Sequence, residues 1–126
     1  MKLYSILGYI TGIGGWQVYI NNKIKYLKSA GWEACALGID PIAPENSVEL
    51  EEIKNSAHGL FFELAFYPGD LNSRQRARFV ERVAAMIGEG RHDEIVFEAT
   101  TEELLLWAEF LASEFGAKSI CVNVKN

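Results

Sequence analysis

Cysteine is scarce in this sequence, whose 126 residues include only Cys35 and Cys121. Two cysteines cannot build the framework of several disulfides that holds small secreted domains together. Both lie inside apolar runs that are typical of strands, so we expect two small buried thiols in a reducing compartment. The cysteine content therefore argues against a disulfide-rich extracellular module.

Basic residues are also few, because 12 Lys and Arg stand against 17 Asp and Glu, for a net charge of −5. This balance argues against nucleic acid or an anionic membrane surface as the main partner, since neither would be attracted. No run of about 18 uninterrupted apolar residues occurs, and no basic segment followed by an apolar run opens the chain. We therefore expect no membrane span, no signal peptide and a cytoplasmic location.

Histidine is rare too, and the two that occur, His58 and His92, lie in segments that precede strands. We expect both to be solvated loop residues rather than catalysts or ligands. No group of His, Cys and Asp shares the spacing of a metal site. The sequence therefore predicts no bound metal and no cofactor.

What the chain does contain is core material, with 49% hydrophobic and 12% aromatic residues, in a length that suits one domain. Short apolar runs alternate with segments of helical period. Strands are predicted at 3–10, 32–39, 60–66, 95–99 and 119–124, and helices at 16–30, 73–87 and 100–115. This alternation predicts an α/β fold: a Rossmann-like open, mainly parallel sheet with helices on both faces.

Helix boundaries can be read from single residues. Gly31 and Gly116 stand where a helix would stop, and Ser73 is the predicted cap of the middle helix. Thr100 and Glu103 have the spacing of a capping box for the last one. The stretch 41–59 stays undecided between a short strand and one helical turn.

Ligands of such sheets lie outside the carboxyl ends of the strands. This rule selects the glycine loop at 12–17, Asp40, and the segment 98–101. Glycines let backbone N–H groups approach a ligand closely, and the following helix offers unpaired donors. Phosphate, diphosphate or a sugar hydroxyl would fit the loop. Trp16 beside it could stack on a ligand, pack on a partner domain or belong to the core.

Two nucleotide-binding motifs are absent from the glycine loop. Gln17 stands where the third glycine of the dinucleotide fingerprint belongs, although Asp40 ends the second strand where a ribose-binding acid would sit. No Gly-Lys-Ser/Thr follows, so the loop is not a P-loop either.

Two stretches resemble the start of retaining GT-B glycosyltransferases of the glycosyl transferase group 1 class. In that family a Gly-Gly turn opens the first helix. The sequence at the end of that helix reads leucine, a basic residue, two variable residues, glycine, an aromatic residue or histidine, and glutamate, and leads into the second strand. The matching residues here are Gly14-Gly15-Trp16-Gln17, Leu27-Lys28 and Gly31-Trp32-Glu33, with Glu98-Ala99-Thr100-Thr101 and the Trp107 helix as a weaker second match.

The resemblance implies a two-domain hexosyltransferase of which residues 1–126 are the N-terminal, acceptor-side Rossmann-like domain. A missing C-terminal domain would hold most of the nucleotide-sugar donor, and a glycan or lipid-linked acceptor would bind here. The chain alone is then expected to be inactive. The residues expected to contact substrate are Gly14, Gly15, Trp16, Gln17, Glu98 and Thr100.

The chain departs from the family where many members carry a histidine, near the end of the fourth main strand. Glu98 to Thr101 occupy that region here, so the catalytic residues stay unassigned. Two other functions stay open. One is a free-standing Rossmann-like module for a nucleotide or dinucleotide, with Asp40 on the ribose hydroxyls. The other is an interaction domain without a small ligand, for which a homodimer is one arrangement.

Overall fold

The computed structural model describes residues 1–9, 15–39, 48–56, 60–62, 67–88 and 90–122. Across these ranges the chain alternates strands and helices. The elements are β1 (Lys2–Gly8), α1 (Gly15–Ser29), β2 (Glu33–Gly38), α2 (Val48–Ser56), β3 (Leu60–Phe62), α3 (Ser73–Ile87), β4 (Glu94–Ala99), α4 (Leu105–Phe115) and β5 (Lys118–Cys121), with a 3₁₀ turn at Pro68–Asp70. Of the helices in these ranges, none has both the length and the hydropathy to cross a membrane.

The strands form one parallel sheet in the order β3-β2-β1-β4-β5. β1 lies at the centre, where Tyr4 is paired with Ala34 of β2 on one side and with Val96 of β4 on the other. The chain first builds outward from β1 to β3 and then crosses to the other side of β1 to add β4 and β5. The direction of winding therefore reverses between β1 and β4.

Helices cover both faces of this sheet, because strand side chains alternate between the faces. Odd-numbered strand residues such as Leu7 and Phe97 pack against α3 and α4, whose buried side chains include Phe79 and Trp107. Even-numbered residues pack against α1 and α2; this second cluster contains Tyr4, Ile6, Ala34, Ala36 and Val96 with Ile20, Ile24, Leu27, Leu50 and Ile53. Two apolar layers thus hold the sheet between the helix pairs.

The predicted helix ends are confirmed at Gly31 and Gly116, which have φ of +89° and +60°. A left-handed residue at this position is strained with any side chain, so glycine is favoured. The predicted start of α3 was wrong by one residue. Asn72, rather than Ser73, is the cap, and its backbone is extended. The Asn72 side chain accepts from the Gln75 N–H at 2.8 Å, and the Gln75 side chain accepts from the Asn72 N–H at 2.8 Å.

The undecided stretch before β3 contains a helix, α2. Leu50 and Ile53, three residues apart, are both buried, and α2 lies against α1. Two apolar residues at this spacing cover one face of a helix, too short a pattern to distinguish it from a strand in the sequence. The predicted continuation of β3 over 63–66 and the end of β5 at 123–124 lie outside the described residues.

The two thiols differ in exposure. Cys35 is fully buried, but Cys121 is exposed, so the expectation of two buried thiols was wrong for Cys121. The reason is that β5 is an edge strand of the sheet, and most of its residues are exposed. Burial raises the pKa of the Cys35 thiol to about 12.

We expect a thiol reagent such as DTNB to modify Cys121 quickly and Cys35 only on unfolding. A pKa near 12 lowers the thiolate fraction by about 10³-fold relative to an ordinary cysteine, and burial blocks access as well. The measurement is the time course of thiol release in native buffer and in denaturant. Cys121→Ser should remove the fast phase, and two thiols that react together in native buffer would contradict the burial of Cys35.

Candidate functional site

The place where the winding reverses, between the carboxyl ends of β1 and β4, is where open α/β sheets bind ligands. β1 ends at Gly8 and β4 at Ala99. The next residue, Thr100, fastens the two strand ends together: its N–H donates to the Leu7 carbonyl at 3.1 Å and its hydroxyl donates to the same carbonyl at 2.9 Å. Tyr9 after β1 and the segment 100–104 after β4 therefore form the two described rims of a candidate crevice.

The glycine loop that follows β1 in the sequence is described only from Gly15 onward. Gly14 and Asp40 lie outside the described residues, whereas Gly15 and Trp16 form the start of α1. Gln17 follows in the first turn and is 9% exposed. α1 thus begins directly after the loop, and the first N–H groups of a helix have no partner within the helix itself.

Gly8, the last residue of β1, lies close to the side chains of Ile20 and Thr100. A Cβ at Gly8 would lie 2.6 Å from Cδ1 of Ile20 and 3.3 Å from the Thr100 hydroxyl oxygen. A side chain at the last residue of β1 would therefore have to displace the end of the buried Ile20 side chain.

We expect Gly8→Ala to destabilise the fold by about 1–3 kcal/mol, because overpacking forces neighbours out of place. Ile20→Val removes the Cδ1 atom that the new methyl group would meet, so adding it should recover most of the loss. Chemical denaturation of both variants measures the effect. Gly69→Ala, where nothing lies within 4 Å of the added Cβ, is the matched control. A double variant as unstable as Gly8→Ala alone would contradict the contact.

Glu98 has a fully buried side chain, whose carboxylate is hydrogen-bonded to other side chains of the protein. Its carboxylate accepts from the Tyr4 hydroxyl at 2.5 Å and from the Tyr19 hydroxyl at 2.9 Å, and it forms an ion pair with Lys23. Lys23 also donates to the Tyr19 oxygen at 3.0 Å and lies 4.9 Å from the Tyr4 ring centroid. We call these four residues the Glu98 cluster. A contact between Glu98 and an acceptor hydroxyl would need these bonds to be exchanged.

The electrostatics of the Glu98 cluster favour one charged pair and two neutral phenols. Burial raises the pKa of Tyr4, and the hydrogen bond to Glu98 raises it further. Burial alone would lower the pKa of Lys23, but its hydrogen bonds to Glu98, Tyr19 and Tyr4 outweigh this and raise it. The cluster thus holds α1, through Tyr19 and Lys23, against the carboxyl-terminal part of β4.

The predicted capping box at the start of α4 was wrong. Thr100 and Glu103 point to β1 rather than to each other, because both have partners far away in the sequence. Thr100 bonds to Leu7, and Glu103 accepts from the Tyr9 hydroxyl at 2.6 Å. The cap position of α4 is instead Leu104, which makes no side-chain capping bond.

Tyr9 and Glu103, which the sequence reasoning missed as a site, form a bridge across the crevice. Tyr9 follows β1 directly, and Glu103 is exposed in the segment after β4. Thr101 also hydrogen-bonds to the Tyr9 hydroxyl, and Tyr67 is close enough to act on it electrostatically. Burial and the bond to Glu103 raise the pKa of Tyr9. The signal in the sequence was the position of Tyr9 at the strand end, next to the glycine loop.

His92 is not the solvated loop residue that was expected, because its side chain is 1% exposed. Its Nε2 lies 2.7 Å from a carboxylate oxygen of Glu33, whose other oxygen accepts from Arg91 at 2.9 Å. His58 lies outside the described residues. Among the described residues, no three His, Cys, Asp or Glu side chains are grouped to hold a metal ion.

Comparisons with known proteins give a fold and no family. No protein-family model matches the sequence, and no curated protein does. A solved structure that does match is the C-terminal domain of a hydrogenase from Pyrococcus furiosus, with a TM-score of 0.53 and 16% sequence identity over 95% of this chain and 89% of that one. The fold is Rossmann-like. The predicted α/β sheet with helices on both faces is thereby confirmed, and at this identity the likeness extends to the fold alone.

Proposed function

We propose that this chain is the acceptor-side domain of a sugar-nucleotide-dependent glycosyltransferase that transfers a sugar to a glycan or lipid-linked acceptor. The observation that carries the proposal is the bridge between Tyr9 and Glu103 at the crevice of a Rossmann-like sheet. An exposed carboxylate accepts hydrogen bonds from hydroxyl groups, and aromatic side chains present apolar faces to a ring. These are the groups that a hydroxyl-rich ligand needs.

In this arrangement each rim has a role. Gly15, Trp16 and Gln17 at the start of α1 offer backbone and amide donors to phosphate or hydroxyl groups, and Glu103 with Tyr9 binds acceptor hydroxyls. Glu98 and Thr100, the predicted acceptor contacts, act instead as positioning residues, since their side chains are buried and hold α1 and β1 against β4. A second domain would bring the donor and stabilise the departing diphosphate.

The test is a titration of the isotope-labelled chain with a neutral oligosaccharide, UDP, a UDP-sugar, NAD and NADP, followed by NMR. The proposal expects the oligosaccharide to shift the amides of Tyr9, Thr101 and Gly15, and no turnover of the UDP-sugar by this chain alone. Glu103→Gln should weaken oligosaccharide binding by about 10-fold, the loss of a charged hydrogen bond. Glu102→Gln, a change of the exposed neighbour, is the control and should bind as before.

A free-standing nucleotide module is the second candidate, because the crevice of this strand order also takes nucleotides. Tight binding of NAD that is lost in Asp40→Ala would favour it over the glycosyltransferase. Saturable binding of none of the probes would count against both. An interaction domain, including a homodimer, would then be examined by light scattering.

A further inference from the structure

A cavity of about 470 Å³ lies between α3 and α4, at the opposite end of the sheet from the crevice. The last turns of both helices, the segment 88–92 and the start of β4 line it. Most of the wall is apolar, from Val80, Ala84, Ile87, Ile95 and Phe115. Its volume falls within the roughly 300–1,000 Å³ of pockets that hold small ligands.

The ring of His92 is a polar part of this wall, and one of its two nitrogens has no partner among the described residues. A carboxylate can only accept, so the Nε2 atom that faces Glu33 carries a hydrogen. In the neutral form of the ring, Nδ1 is then an acceptor. That atom is buried and has no hydrogen-bond partner among the described residues. An unsatisfied buried acceptor is unfavourable, and a donor in the cavity would relieve it.

The second polar group of the wall is Glu114, whose side chain is exposed. No ion pair of Glu114 occurs within the part of the chain that the structure describes. A free carboxylate at the edge of an apolar cavity favours a cation there, and the net charge of −5 acts in the same direction.

We propose that this cavity binds a small aromatic amine whose ring carries an N–H group. The ring occupies the apolar wall, the ammonium group pairs with Glu114, and a small turn of the His92 ring presents Nδ1 to the ring N–H. The ring, the ammonium group and the ring N–H of the ligand thus each contact one part of the cavity: the apolar wall, Glu114 and His92. The site lies away from the Tyr9–Glu103 bridge and is independent of the glycosyltransferase proposal.

The probe is tryptamine, which has the apolar ring, the N–H and the ammonium group together. It is titrated into the labelled chain at millimolar concentration and followed by NMR, including the nitrogen resonances of His92. We expect saturable shifts of the amides of Ala84, Ile95 and Glu114 and of His92 Nδ1. 1-Methyltryptamine, which lacks the ring N–H, and indole-3-propionate, which reverses the charge, should bind more weakly. Equal binding of all three would overturn the proposal.

Two pairs of variants locate the site. Ala84→Leu extends a side chain into the cavity and should weaken tryptamine binding at least tenfold, whereas Ala77→Leu makes the same change at an exposed position of α3 and should not. Glu114→Gln should weaken it about 2- to 5-fold, as expected for a solvent-exposed ion pair, with Glu109→Gln on the same helix as control. The absence of saturable shifts, or equal binding by Ala84→Leu, would overturn the assignment.

Discussion

Lys23→Met is expected to destabilise the protein by about 3–5 kcal/mol, the cost of leaving a buried charge without its partner. The Glu98 side chain is fully buried, whereas that of Lys23 is 23% exposed. Removal of the ammonium group therefore leaves the carboxylate with two phenol donors and no compensating charge. Chemical denaturation near neutral pH measures the loss. Near-neutral pH is chosen because folding raises the pKa values of Tyr4 and Lys23. Their contribution to stability is therefore fully present below about pH 10 and is lost as the pH rises further.

Lys25→Met is the matched control for this prediction. It lies on the same helix and pairs with Glu52 at 3.4 Å, but both side chains are about half exposed, so we expect a change below about 1 kcal/mol. In a double-mutant cycle, Lys23→Met with Glu98→Gln should cost less than the sum of the single changes, because the carboxylate charge is no longer left alone. Additive losses would show that the two groups are not coupled.

Trp107→Ala is expected to cost about 3–5 kcal/mol, because it leaves a large cavity in the core. Trp107 is fully buried on α4, with its ring centroid 4.8 Å from that of Phe79 on α3 and 6.1 Å from that of Phe110. Such aromatic pairs add to the loss. A domain has only about 5–15 kcal/mol of net stability, so the variant should unfold at much lower denaturant concentration and lose thermal stability.

The neighbouring side chain gives the control. Leu106 is 53% exposed on the same helix, so Leu106→Ala should change the free energy of unfolding by no more than about 0.5 kcal/mol. Equal losses for both variants would show that the cost comes from the propensity or end of α4 rather than from the aromatic contacts between α3 and α4.

The general fold was predictable from the sequence because its signals are local. The period of α1 and the glycines at 31 and 116 predict element types and ends from neighbouring residues alone, and Trp107 lies on the apolar face of its helix, as expected. The α/β alternation then leaves few arrangements other than a parallel sheet with helices on both faces.

The site was less predictable, because its groups meet only after the sheet has formed. The Thr100–Glu103 spacing is a valid local signal, but the Leu7 carbonyl and the Tyr9 hydroxyl, brought close by β1, take both side chains. His92 is buried, and its partner Glu33 is 59 positions away in the sequence. The exposure of Cys121 follows from its strand lying at the sheet edge, which the apolar run around it does not reveal.

The central place of β1 affects how the chain can fold during its synthesis. β1 is made first, but one of its two neighbours is β4, and the bond between Tyr4 and Glu98 joins residues 94 positions apart. At ribosomal rates, roughly 5–20 s separate the two. During that interval one edge of β1 is unpaired, and the apolar sheet face that α3 and α4 later cover is exposed to non-native contacts. Until β4 has been made, the first half of the sheet is therefore the part of the chain most exposed to aggregation.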